Sequence, residues 1–177
     1  LLRCVQEDGG IYRDPVRPRK GGGLSNYNTA ICMTALHALG RPELRPVVLG
    51  ARRFLADSQH LGGDLYHGGM GYDPDTGRSY TDLSNSTIAY EAMRLTEDAE
   101  DARPAGEKRA DLDWEAARTF LSRVQHMEGT DNPGMNPDDP AQRGGFSYRP
   151  DQSKAGETTA EDGRIVFRSY GSMTYAG

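Results

Sequence analysis

Apolar residues recur at helical spacing in four stretches of the chain, separated by segments of turn-forming and charged residues. From Ser25 to Leu39, Ala30, Met33 or Thr34, and Leu36 or His37 fall on one side of a predicted helix, and Gly40 suits the position just past its end. From Leu44 to Gln59, Val47, Val48, Ala51, Phe54 and Leu55 form a stripe. Pro42 and Pro46 stand there where a first turn tolerates proline. Ser84 to Leu95 carries Ile88, Ala89, Ala92, Met93 and Leu95. The fourth helix, capped by Asp111 or Asp113, carries Trp114, Ala117, Phe120, Leu121 and Val124. Glu97 to Arg109 reads as a charged surface loop, and Met127 to Arg143 as a long turn-rich insertion. Arg164 to Arg168 suits a short strand or an extended arm. Leu1 to Gln6 reads as the last turns of a helix and Ser169 to Gly177 as the start of one, which predicts an excerpt of a longer chain.

Self-comparison adds periodicity to this pattern. At an offset of 59 residues, Gly9/Gly68, Gly10/Gly69, Asp14/Asp73, Pro15/Pro74, Leu24/Leu83, Ser25/Ser84, Asn26/Asn85, Ala30/Ala89 and Leu36/Leu95 are identical. Gly144-Gly145-Phe146-Ser147-Tyr148 begins a third copy, in which Ser169 and Tyr175 align with Ser84 and Tyr90. A leucine pair or Phe-Leu followed by three residues and Gln precedes each glycine pair: Leu1-Leu2 to Gln6, Phe54-Leu55 to Gln59, and Phe120-Leu121 to Gln125. The unit is a helix, a glutamine, a variable loop, a Gly-Gly turn and a second helix. Such a hairpin must stack on its neighbours to bury both faces.

These motifs resemble the QW-type repeat of the prenyltransferase and squalene–hopene cyclase superfamily, with Tyr12, Tyr72 and Tyr148 at the usual tryptophan. The chain departs from that pattern in its Gln-to-glycine separations of 3, 9 and 19 residues. The resemblance implies an all-α fold, an α/α toroid, of which this chain is a partial ring. It would form one partial domain over 1–177, with repeats of about 1–53, 54–119 and 120–177, a charged loop 97–110 and a long insertion 127–168. It also implies a protein of the terpene-cyclase or prenyltransferase kind that acts on or binds an isoprenoid or other small-molecule ligand in the central cavity. The alternative is a non-catalytic toroid that binds or scaffolds.

Composition narrows the chemistry. The 26 acidic and 21 basic side chains give a net charge of −5, and no basic stripe marks a nucleic-acid partner. The longest apolar run, Val47 to Ala51, is far below the roughly 20 residues a membrane-spanning helix requires. Cys4 and Cys32 lack metal-ribbon spacing and read as free, buried thiols. The nearest match to the cyclases' Asp-x-Asp-Asp acid motif is Asn136-Pro137-Asp138-Asp139, which suits a capped turn better than a catalytic acid. The Asp-x-Cys zinc element of prenyltransferases is absent. Asp73-Pro74-Asp75 reads as a turn before it reads as a ligand set for a divalent cation, so neither metal nor cofactor is expected. The four aromatic Phe, nine Tyr and one Trp are few for a cavity that guides carbocations, which favours the non-catalytic alternative.

The candidate site residues lie at the starts of the second helices, where free N–H groups and the helix dipole suit a polar or anionic ligand group. Asn26, Tyr27, Asn85, Arg168 and Tyr170 are the binding candidates, and Asp82 and His67 the catalytic ones. Helix capping competes as an explanation for Asn26 and Asn85.

Overall fold

Helices form where the apolar spacing places them. The computed structural model describes residues 1–13, 24–73, 81–136 and 138–177. Within these, α1 is Ser25–Ala38, α2 Arg45–Asp57, α3 Leu83–Leu95, α4 Trp114–Val124 and α5 Gly171–Ala176. Gly40 (φ +62°) ends α1 as expected, its N–H bonding to the His37 carbonyl. Pro46 lies in the first turn of α2, behind a short 3-10 turn at Pro42–Leu44.

An all-α toroid is not what forms. Helices account for 45% of the chain, and an antiparallel strand pair lies inside the long insertion, its second strand within the 164–168 segment that suited a short strand or extended arm and its first strand unforeseen. β1 (Glu157–Thr159) pairs with β2 (Ile165–Phe167) in the register Glu157–Phe167, Thr158–Val166 and Thr159–Ile165. The β-branched and aromatic run Ile165-Val166-Phe167 favours extended backbone, and Val166 is fully buried. The chain start also differs from expectation, since Leu2–Cys4 is a single 3-10 turn.

By packing, the chain divides into two units. The first comprises Leu1–Gln59, Met70–Ser79 and Ile88–Asp113, and the second His60–Gly69, Tyr80–Thr87 and Trp114–Gly177. In the first unit α1 packs against α2, with Ala30, Met33, Val48, Ala51 and Leu55 buried. The segment predicted to be a charged surface loop enters this unit's interior. Glu97–Ala102 is a 3-10 helix that buries Glu100 against Arg52, which is itself only 1% exposed. Arg52 donates to Glu100 Oε1 (3.0 Å), the Met93 carbonyl (2.6 Å), Thr96 Oγ1 (2.7 Å) and the Ala110 carbonyl (3.1 Å). Five N–H donors on a planar fork let one side chain tie three segments together. In the second unit Leu83, Phe120, Val124, Phe146, Tyr148 and Met173 form the core. Cys4 and Cys32 are free thiols, each half-buried where full burial was expected.

Candidate functional site

The three glycine turns share one backbone design. His60 donates to the Gly69 carbonyl (3.0 Å) and accepts from Gly68 N–H (2.6 Å); His126 does the same with Gly145 (2.7 Å) and Gly144 (2.7 Å). In the first copy Gln6 fills that role, with Gly10 (2.8 Å) and Gly9 (3.1 Å). The first glycine has φ of +91°, +97° and +81° at Gly9, Gly68 and Gly144, a region open to glycine. The residue after each glycine pair, Ile11, Met70 or Phe146, is buried.

Hydrogen bonding corrects the sequence alignment of the repeats at two points. Gln6 is the counterpart of His60 and His126, and Val5, which bridges to Ile11, is the counterpart of Gln125, which bridges to Phe146. Only two residues separate Gln6 from Gly9, so the tight turn draws the glutamine one place along. In the third copy, Phe146 N–H donates to Thr174 Oγ1 (3.1 Å) as Ile11 N–H does to Thr29 Oγ1 (2.8 Å). Thr174 therefore stands at the place of Thr29, and Gly171, rather than Tyr170, at the place of Asn26 and Asn85.

In the second unit the structure gathers Asp82, Asn85 and Tyr148, the last standing at the repeat's usual tryptophan. Asp82 immediately precedes α3 and is fully enclosed. Its Oδ1 accepts from the Asn85 backbone N–H (2.9 Å) and its Oδ2 from Asn85 Nδ2 (2.8 Å), the geometry of a helix N-cap. The Tyr148 hydroxyl also bonds to this carboxyl, and Lys154 Nζ stands 3.9 Å from the centre of the Tyr148 ring. Burial pushes the Asp82 carboxyl above its ordinary range, and the Asn85 and Tyr148 hydrogen bonds and the Lys154 charge hold back part of that rise. Burial, then the Asp82 charge, raises the Tyr170 hydroxyl.

The other candidates lie elsewhere. His67 is half-buried in the 60–69 loop, where its Nδ1 accepts from Gly63 N–H (3.2 Å). Arg168 is exposed; its backbone N–H bonds to the Gly156 carbonyl (3.1 Å) and its own carbonyl accepts from the Ser153 hydroxyl. Asn26, in the first unit, donates through Nδ2 to the Gly71 carbonyl (2.9 Å), and Tyr27 beside it is half-buried. Asn26 Oδ1 and Asn85 Oδ1 are both buried without a hydrogen-bond partner. Pro74, Asp75 and Pro137, from the two acidic turns, lie outside the described residues. Asp139 behaves as a turn residue: its Oδ1 accepts from Ala141 N–H (3.0 Å) and its Oδ2 from Gln142 Nε2 (3.2 Å). No group of three or more His, Cys, Asp or Glu among the described residues is arranged to hold a metal ion.

Sequence reasoning missed His126. Its ring is 1% exposed and neither nitrogen has a hydrogen-bond partner; burial lowers its pKa. It borders a cavity of about 360 Å³ with Met135, Asn136, Asp139, Pro140 and Arg143. The available signal was its place directly after Gln125, as His60 follows Gln59. No helix among the described residues is long and apolar enough to cross a membrane. Comparison with family models, with curated proteins and with solved structures returns no match.

Proposed function

We propose that the chain is a repeat module of the prenyltransferase and squalene-cyclase kind that serves as a binding or scaffold element, with no chemistry of its own at the described residues. The observation that carries this reading is Asp82. The one buried carboxyl among the candidates spends its oxygens on the Asn85 N-cap and is sealed from solvent. The recurrence of one hydrogen-bonded glycine turn at Gly9, Gly68 and Gly144 supports the repeat part of the proposal.

A second reading, an enzyme acting on an isoprenoid, draws on the same carboxyl. A buried acid held toward its protonated form beside Tyr148 is the kind of group that donates a proton to an alkene. One experiment separates them: the protein is incubated with squalene and with prenyl diphosphates, and products are read by mass spectrometry. The module reading expects no turnover in either the parent or Asp82→Asn. Turnover in the parent that Asp82→Asn abolishes would establish the enzyme and end the module reading.

A further inference from the structure

Gln6, His60 and His126 close the three glycine turns through the same backbone hydrogen bonds, and their side chains are met differently. Gln6 Nε2 donates to the Tyr12 carbonyl (2.7 Å). His60 Nε2 donates to Asp64 Oδ1 (2.8 Å), a carboxylate four residues further on in its own loop. His126 is the most enclosed of the three, and neither ring nitrogen has a hydrogen-bond partner. Four residues on from His126 stands Thr130, whose hydroxyl donates to the Gln125 and Met127 carbonyls instead. In the second copy the histidine's partner thus comes from the loop directly after it and not from a later element.

Where the second copy has that carboxylate, the third has space. His126 lines a cavity of about 360 Å³, within the range of small-molecule pockets. Met135 and Pro140 give it apolar wall. Arg143 stands exposed at its rim, and the guanidinium makes no hydrogen bond or ion pair among the described residues. Two acidic side chains also line the cavity. Asp139 has both oxygens engaged, by Ala141 N–H and by Gln142 Nε2, and Glu128 stands in solvent. A buried ring with an unmet donor and an unmet acceptor is costly, and a bound acceptor relieves the donor.

We propose that this cavity binds a small carboxylate, which takes at His126 the place that Asp64 takes at His60. One carboxylate oxygen accepts from the His126 ring, and the Arg143 guanidinium, whose planar fork matches a carboxylate, pairs with the group from the rim. The rest of the molecule is a short apolar body against Met135 and Pro140. Binding here does not depend on whether the chain takes up an isoprenoid.

The test titrates the whole protein, labelled at histidine rings and methionine methyls, with 4-methylpentanoate and follows it by NMR. Saturable shifts at His126 and Met135 are expected below about 10 mM acid, with the His60 ring signals unmoved. The bound carboxylate is expected to raise the His126 titration midpoint. Arg143→Gln is expected to weaken binding about tenfold, the loss of a charge-assisted hydrogen bond. His126→Leu, followed at Met135, is expected to weaken it at least as much. Circular dichroism of each variant checks that the fold is retained. The alcohol 4-methylpentan-1-ol, with the same body and no charge, is expected not to bind, which tests the site without altering the protein. Any of four results would overturn the proposal: no saturable shift at His126, shifts at His60 as large as those at His126, binding that either variant leaves intact, or equal binding of the alcohol.

Discussion

The side-chain amide of Gln59 closes a two-point hydrogen-bonded bracket on the backbone of Asp113, 54 residues further along the chain, with contacts of 2.8 and 3.0 Å. The N–H groups at a helix start have no intrahelical partner, and the glutamine steadies the residue from which α4 begins. Gln59 is itself buried, but Asp113 is exposed, so removing the amide breaks two part-buried hydrogen bonds whose backbone groups water can reach. Gln59→Ala should cost about 1–2 kcal/mol in urea denaturation. Gln125→Ala, which breaks no hydrogen bond, should cost less than about 0.5 kcal/mol. Equal losses in the two variants would contradict the role given to the bracket.

The helices were legible because each carries a long apolar stripe with punctuation at its ends; Gly40 and the Pro42–Pro46 segment mark boundaries that local chemistry alone decides. The glycine turns were legible as a repeat because φ above +80° at Gly9, Gly68 and Gly144 admits little else. What eluded the sequence depends on partners distant along the chain. Glu97 to Arg109 has the composition of a solvated loop, yet Glu100 turns inward because Arg52, about 50 residues earlier, supplies a buried counter-charge, and Arg103 follows to pair with Glu100. The slip at Gln6 came from matching side-chain identity where the structure conserves backbone hydrogen bonds. Asp82 and Asn85 were found from sequence, but their meeting with Tyr148 and Lys154 needed the second unit's packing. His126 carried no pattern beyond its neighbour Gln125.

Gly68 and Gly144 share a backbone conformation and differ in surroundings, which makes alanine a clean probe of packing. Gly68→Ala would set a methyl group 1.8 Å from the Ala116 carbonyl oxygen, a clash relieved only by moving α4. It should destabilise by about 3 kcal/mol or more. Gly144→Ala meets only the cost of a left-handed conformation, about 1–2 kcal/mol. The difference between the two denaturation midpoints is the measurement, and the ordering is the claim.

Arg52 and Glu100 are a buried ion pair, and Arg103 also pairs with Glu100, so removing Glu100 takes the shared carboxylate from two arginines at once. Glu100→Ala should cost about 3–5 kcal/mol, and Arg52→Met with Glu100→Leu together much less than the sum of the single changes. Burial alone would raise the Glu100 carboxyl; hydrogen bonds from Arg103 and then Arg52 outweigh it and leave the pKa lowered. A lowered carboxylate pKa gives stability that is complete above the unfolded value, about 4.3, and is lost as pH falls through the folded value. The parent protein should therefore weaken below about pH 4 in a way that Glu100→Ala does not share.

Asp82 responds to pH with the opposite sign. Its folded pKa is raised, chiefly by burial, so the folded state holds the proton more tightly than the unfolded chain does. That contribution is complete below the unfolded value of about 3.9 and fades as pH climbs through the folded one. Asp82→Asn keeps one accepting oxygen for the Asn85 N–H but turns an amide donor toward Asn85 Nδ2. It should cost about 1–2 kcal/mol at neutral pH and lose the decline with rising pH. Chemical denaturation at a series of pH values between 3 and 7 reads both effects.

His126 gives the sharpest pH dependence near neutrality. Burial lowers its pKa, and the ring has no hydrogen bond at either nitrogen. The unfolded chain takes up a proton as pH drops below about 6.5, while the folded state resists it. Stability from this group is complete above that value and is lost as pH falls toward the folded pKa. His126→Leu, close in volume and with no polar atom to leave unpaired, should be neutral or stabilising at pH 7 and clearly stabilising relative to the parent at pH 5. The imidazole proton shifts, followed by NMR through the same range, check the cause directly: a His126 titration midpoint at or above 6.5 would contradict it, whatever the stability data show.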